Sequence, residues 1–357
     1  MRTPLRTIPL ALALVATALA GCASSPQPPP SSGRMGDIAG FAPGGDFMSQ
    51  DKAVIEREMN EMARTGARWF RVGFQWSGME GRPGVYSFSK HEWLAGLARA
   101  RGIRLIANVA YTPGWAQPGN CRDAMCPPAD PGNYARFLKK LVQNFSPRGV
   151  KHYEIWNEPN QYYWWKPKPS PRGYTALLRA AYPAAKSADR GVTILAGAFA
   201  PTADSSTGMT IRSTTYVRSL YYNGARNYFD AISIHPYTRP NSPLVQGDWN
   251  MISGVMPDIY ATMRSHGDGG KKIWGTEMGF PTSGKTAVTE QQQGLFLQQA
   301  FQLWTKYPYT GAMMVFNYRD RGTNRRDHTE NSGLVRRDFS PKASLRTFVQ
   351  TMQMRQN

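Results

Sequence analysis

Cysteine and histidine are scarce in this chain, and acids are well outnumbered by bases. Three cysteines and five histidines stand among 357 residues. None of the histidines falls in H-E-x-x-H spacing, which leaves little to build a catalytic metal site, and no metal or organic cofactor is expected. Past residue 21 no apolar run is long enough to cross a bilayer. The formal net charge is +19, yet the positive residues are scattered and form no lysine- or arginine-rich block. Nucleic acid is therefore not expected as a partner. An envelope polymer or lipid headgroup fits an exported basic protein, and a merely solvated basic surface fits equally well. With no internal repeat and no second linker, one large domain and a monomer are expected.

The first residues speak to compartment. Arg2 and Arg6 precede an almost wholly apolar stretch over residues 8–20, the size of a signal-peptide core and too short for a spanning helix. It ends in Leu19-Ala20-Gly21-Cys22, which reads as a lipobox. Residues 1–21 are then a lipoprotein signal peptide, and Cys22 carries a lipid that holds an exported protein to a bacterial membrane. A plain secretory signal with a chance cysteine is the alternative. Residues 22–34, rich in proline and serine, read as a tether. Residues 35–357 read as the globular domain. Within it Cys121 and Cys126 are spaced C-x4-C. Outside the cell such a pair is usually a disulfide; a zinc knuckle needs further ligands, and no histidine lies near.

Along residues 35–357, β-rich apolar runs alternate with helical periodicity. Strands are expected at 39–41, 67–74, 103–110, 151–156, 192–198, 231–235, 272–275 and 312–317. Helices are expected at 51–65, 92–101, 134–145, 174–187, 216–222, 251–265, 290–307 and 342–352, with Pro183 bending or dividing the fourth. Eight strand–helix units point to an α/β fold with a parallel sheet, closed as a (β/α)8 TIM barrel; a doubly wound open sheet is the alternative. In such a barrel the working residues sit at the C-terminal ends of the strands.

Two strand ends carry carboxylates. One reads His152-Tyr153-Glu154-Ile155-Trp156-Asn157-Glu158-Pro159-Asn160, where the proline keeps Glu158 from entering a helix. The other reads Ile273-Trp274-Gly275-Thr276-Glu277-Met278. Strands four and seven face one another across a barrel mouth. A facing carboxyl pair suits a glycosidic bond, where one acid protonates the leaving oxygen and the other acts on the far side of the ring.

These motifs resemble glycoside hydrolase clan A, with family 39-like enzymes, including lipid-anchored bacterial polysaccharide hydrolases, as the nearest match and family 5-like enzymes as the alternative. The resemblance covers nearly all of residues 35–357. It implies a retaining hydrolase with Glu158 as acid/base, Glu277 as nucleophile and Asn157 as donor to the sugar 2-hydroxyl. It also implies that Arg71 keeps Glu277 ionised, and that His235 and Tyr237 belong to the site, the tyrosine hydroxyl steadying the nucleophile. Two departures concern substrate: Asn108 and Tyr111 stand where family 5 commonly has a histidine. Phe316, Asn317 and Tyr318 stand where many members end strand eight in tryptophan.

Aromatic side chains near the strand ends offer stacking surfaces for sugar rings. Trp76, Tyr111, Trp115 and Tyr318 are candidates, as are Trp164 and Trp165 in a loop that also carries Tyr162 and Tyr163. An endo-acting enzyme on a cell-envelope or extracellular polysaccharide, either neutral or anionic, is the expectation. An exo-glycosidase or transglycosylase acting on an arabinogalactan-type glycan, and a non-catalytic glycan-binding lipoprotein, are its rivals. Residues 279–286 formally match the phosphate-loop pattern G-x-x-x-x-G-K-[ST], but Pro281 removes an N–H from a loop that works by donating them.

Overall fold

The computed structural model describes residues 33–356. The expected signal peptide, Cys22 and the first part of the tether lie outside the described residues. Eight strands follow in chain order: β1 (Ala39–Phe41), β2 (Trp69–Gln75), β3 (Arg104–Ala110), β4 (His152–Ile155), β5 (Thr193–Phe199), β6 (Ala231–Ile234), β7 (Lys272–Met278) and β8 (Thr310–Val315). Each pairs in parallel with its sequence neighbour, and β8 closes on β1, giving a (β/α)8 barrel. The strands are buried on both faces, as parallel strands covered by helices must be.

The helices start where the chain supplies caps. Asp130 and Ser170 accept from Gly132 N and Gly173 N, with Pro131 and Pro171 just inside the helices Pro131–Phe145 and Pro171–Ala188. Both helices therefore begin three residues before the positions expected from periodicity. Thr289 and Gln292 form a capping box at the start of Glu290–Thr305. Pro183 lies inside Pro171–Ala188 without dividing it. Its missing N–H costs one ladder bond, and burial of Leu177, Leu178, Ala181 and Ala185 on the same helix holds the segment in place. None of the helices among the described residues is long and apolar enough to cross a membrane.

Two cores follow from strand alternation. Outward residues such as Phe70, Val72 and Phe74 pack under the helices. Inward residues fill the lumen: Trp69, Ile106, Leu195, Trp274 and Met314. Near its lower end Trp69, His152 and Trp274 meet ring to ring, with centroids 4.8 to 5.2 Å apart. Burial, and then the charge of Arg104, hold His152 down at about 3, so its ring is neutral there. The upper end is left to polar side chains.

Candidate active site

Glu158 stands on a sharp turn after β4. Trp156 and Glu158 both take positive φ, 72° and 45°, and Pro159 follows. The turn is pinned from three sides. Trp156 N–H donates to Val109 O at 2.8 Å, Trp156 Nε1 to Trp164 O at 2.6 Å, and Glu158 N–H to Ala198 O at 3.1 Å. The last acceptor is presented by a bulge in β5, where pairing with β6 slips between Gly197 and Phe199. Gly197 has φ +126°, and a Cβ there would sit 2.4 Å from Ser233 O, so the bulge needs glycine. Glu158 Oε1 lies 2.7 Å from His235 Nδ1, and Oε2 accepts from Gln161 Nε2.

Glu277 is held from three sides on β7. Arg71 Nη1 donates to its Oε1 at 2.6 Å and the Tyr237 hydroxyl to its Oε2 at 2.8 Å. His235 Nδ1 lies 3.6 Å from the same Oε2. Burial alone raises the pKa of this carboxyl. His235 and Arg71, with hydrogen bonds from Tyr237 and Arg71, outweigh burial and hold it below the usual carboxylate range. Because His235 Nδ1 reaches one oxygen of each carboxylate, those two oxygens can be no further apart than the sum of 2.7 and 3.6 Å, about 6.3 Å.

Arg71 organises the floor of the site. Its Nε donates to Glu154 Oε2, its Nη1 to Glu277 and its Nη2 to Asn157 Oδ1, each at 2.6 Å. Burial works against its charge, and Glu154 and Glu277 more than offset that, so it stays a guanidinium. Asn108 Nδ2 braces the same network, donating to Glu154 Oε2 at 2.9 Å and Trp156 O at 2.7 Å. With Oδ1 of Asn157 occupied by arginine, the amide nitrogen of Asn157 is the end left to face a ligand.

The six residues Arg71, Asn157, Glu158, His235, Tyr237 and Glu277 are thus brought together. Tyr111, at the end of β3 with φ 71°, joins them. Its hydroxyl is pushed well up by burial and by Glu277 and Glu158, against the pull of Arg71. Its ring stacks on Trp164, centroids 5.9 Å apart and 28° between planes. Trp115 is partly buried on the loop after β3, with Nε1 on Glu80 O at 2.9 Å.

Three expected substrate-binding aromatics are elsewhere. Trp76 is 0% exposed; it continues the outward face of β2, packs on Phe137 and Tyr134, and gives its N–H to Glu80. Trp165 is 2% exposed and wedged between Trp156 and Tyr174. Tyr318 is 3% exposed, edge-on to Phe41, with its hydroxyl on Glu61 of the helix Lys52–Arg64. These are packing residues, not cleft walls. Of the Tyr162–Trp165 loop, Tyr163 is exposed, its ring tilted 36° against that of Tyr162 with centroids 4.1 Å apart.

Glu154 and Gln161, which the sequence motifs do not single out, belong to the site, as does Asn108, noted in the sequence only as a departure from family 5. The signal for Glu154 was its inward position on β4, two residues beyond His152. Cys121 and Cys126 form a disulfide. In the phosphate-loop look-alike, Thr282 N–H goes to Asn331 O, and the later Val288 N–H returns to Pro281 O, so the segment is bound to its own surroundings.

No protein-family model matches the chain, and no curated protein does. Solved structures do match. A family 39 glycoside hydrolase from the gut symbiont Bacteroides cellulosilyticus WH2 aligns at TM-score 0.74 and 21% identity, over 91% of this chain and 65% of its own. This chain thus spans under two thirds of that protein's length. A GH39 β-xylosidase from Caulobacter crescentus aligns at TM-score 0.67 and 16% identity, over 88% of this chain and 70% of its own. GH5_18 from Streptomyces cattleya, in complex with GlcNAc, aligns at TM-score 0.68 and 14% identity, over 89% and 80%. The chain has the barrel fold of family 39 and family 5 glycoside hydrolases. At these identities the likeness is one of fold.

Proposed function

We propose that this protein is a retaining glycoside hydrolase acting on a cell-envelope or extracellular polysaccharide. The observation that carries the reading is the carboxyl pair: Glu158 and Glu277 rise from β4 and β7, and His235 touches one and lies 3.6 Å from the other. Their nearest oxygens lie within about 6.3 Å. Separations of ~5–5.5 Å serve retention and ~6.5–9.5 Å inversion, and a bound of about 6.3 Å on the closest oxygens supports the retaining reading.

Two steps follow. Glu277, ionised beside Arg71, attacks the anomeric carbon while Glu158 passes its proton to the departing glycosidic oxygen. A covalent glycosyl ester on Glu277 results. Glu158, now a carboxylate, takes a proton from water, the water oxygen attacks the same carbon, and Glu277 leaves. Asn157 Nδ2 is the donor placed to bind the sugar beside the reacting carbon. Tyr111 and Trp164 form the wall of the leaving-group side. Endo action is supported by aromatics away from the centre, where Tyr163 is 60% and Trp249 42% exposed. Export and a lipid on Cys22 complete the proposal.

The test is release of new reducing ends. The full chain, solubilised in mild detergent, is incubated with envelope polysaccharides and aryl β-glycosides beside a Glu277→Ala control. Release by the parent alone supports the reading. Equal release by both sinks the nucleophile assignment. Glycan binding by both without cleavage leaves a binding protein on the same barrel.

A further inference from the structure

Tyr237 is covered by a cation that the two-step chemistry does not use. The guanidinium carbon of Arg239 stands 4.2 Å from the centre of the Tyr237 ring, whose hydroxyl is bonded to the nucleophile. Arg239 is partly exposed. No carboxylate among the described residues comes within ion-pair distance of it, although many other arginines here have one. Its side-chain donors have no hydrogen-bond acceptor among those residues either. A guanidinium with five donors, resting on an aromatic face and otherwise unspent, is an incomplete recognition element.

Its position says what would complete it. Arg239 follows β6, two residues past Tyr237, and so lies further out along the mouth than the nucleophile contact. His328 sits in the short turn His328–Glu330 of the long loop after β8. Burial first, and then the charge of Arg239, lower the pKa of His328. Asp327, the acid beside His328, spends its Oδ1 on Thr329 N–H and hydroxyl at 2.8 and 2.7 Å. The loops after β6 and β8 leave the two strands that flank β7, where Glu277 sits. That rim carries further bases in Lys285, Arg325 and Arg326, all exposed.

We infer that Arg239 is a specificity residue, and that its guanidinium receives an acidic group of the sugar chain on the nucleophile side of the cleft. The substrate class is an anionic glycan, with a uronate carboxylate the group that best matches a planar fork. This rests on the glycosidase reading for the place of the sugar, and not for the charge. Tyr237 holds the guanidinium carbon 4.2 Å from its ring centre, so the bound acid would lie one aromatic ring away from the reacting carbon. Arg239 acts on binding; it touches no reacting atom.

The test uses full-length protein carrying Glu277→Gln, so that glycans bind without turnover. Binding is measured by calorimetry for polyuronate oligosaccharides, for the same chains with carboxyls reduced to hydroxymethyl groups, and for sulfated chains. The expected result is preference for the acidic chain over its reduced twin, weakened by salt. Arg239→Gln should lower that preference about tenfold, the effect of one lost charge-assisted hydrogen bond, and Arg239→Lys should restore part of it. A melting curve matched to the parent excludes unfolding. The same Arg239 dependence for sulfated chains alone assigns the anion as sulfate. Equal binding of acidic and reduced chains, failure of every acidic chain to bind, or an unchanged preference in Arg239→Gln overturns the inference. The glycosidase reading is scored separately, in protein with native Glu277. Arg239-dependent binding without cleavage removes that reading and leaves this one; cleavage of neutral chains with no Arg239 effect does the reverse.

Discussion

Arg71 of β2 and Glu277 of β7 meet at 2.6 Å across the two strands between them, and the same guanidinium holds Glu154 at the same distance. One cation therefore answers two buried carboxylates, of which only Glu277 also meets Tyr237 and His235.

Removing that cation should damage stability as well as rate. Arg71→Met leaves Glu154, whose side chain is fully buried, without a counter-charge. Breaking a buried pair from one side costs ~3–5 kcal/mol. The melting temperature should fall clearly. In Glu154→Gln, which keeps an acceptor for Arg71 Nε, it should fall less. Equal losses in the two variants would show that Glu154 does not depend on the arginine charge.

The two carboxylates should fail differently. Glu158→Ala loses general acid help, worth ~10²–10⁴-fold, when the leaving group is a poor one. An aryl glycoside whose phenol leaves unaided should lose far less in the first step. Glu277→Ala should lose activity on every substrate, because no bond to the anomeric carbon can form. Parallel losses across a leaving-group series in both variants would reverse or void the assignment.

The pH dependence has a defined sign. The pKa of Glu277 in the folded state is below the usual carboxylate range despite burial. Between that value and its unfolded pKa of ~4.3 the unfolded chain holds more protons, so this group favours folding above that window and the benefit is lost as pH falls through the folded value. The acid limb of kcat/KM should accordingly lie below pH ~4.3. Tyr237→Phe deletes one of the bonds that hold the charge; it should move that limb upward by about one unit, the equivalent of a ~1.4 kcal/mol interaction. An unmoved limb would mean that another group sets it.

Adjacent tryptophans should give opposite phenotypes. Trp164, stacked on Tyr111 at the cleft, is expected to raise KM severalfold on Trp164→Ala while the fold survives. Trp165→Ala and Trp76→Ala empty fully packed positions and should cost ~3–5 kcal/mol each. Thermal melts beside steady-state kinetics check this; a KM effect without destabilisation at Trp76 would put it back in the cleft.

Much of the fold could be read from the chain because eight apolar runs alternate with eight amphipathic ones. Alternation also carried part of the site. On β2, Trp69 and Arg71 point inward, while Phe70, Val72, Phe74 and then Trp76 continue the outward face, so Trp76 was recognisable as packing by parity alone. On β6 the same rule runs from Ala231 through Ser233 to His235. It fails on β7. Counting from the lumen residue Trp274 sends Glu277 outward, yet pairing with β8 slips between Gly275 and Met278, and the carboxylate reaches the mouth. Trp165 and Tyr318 were misassigned because both follow turns, after Pro159 and after Val315, where no period relates one side chain to the next. The environment of Glu158 depends on a bulge in another strand, at Gly197, which nothing near Glu158 in the chain announces.

The ring-to-ring plug of Trp69, His152 and Trp274 has a bearing on traffic. With the lower end of the barrel stoppered, a polymer cannot thread through the axis. On the proposed reading it would lie across the rim, be cut there, and release both fragments from the same face. The order in which the two halves depart would then depend on their grip on Tyr111 and Trp164 against their grip on the basic loops after β6 and β8.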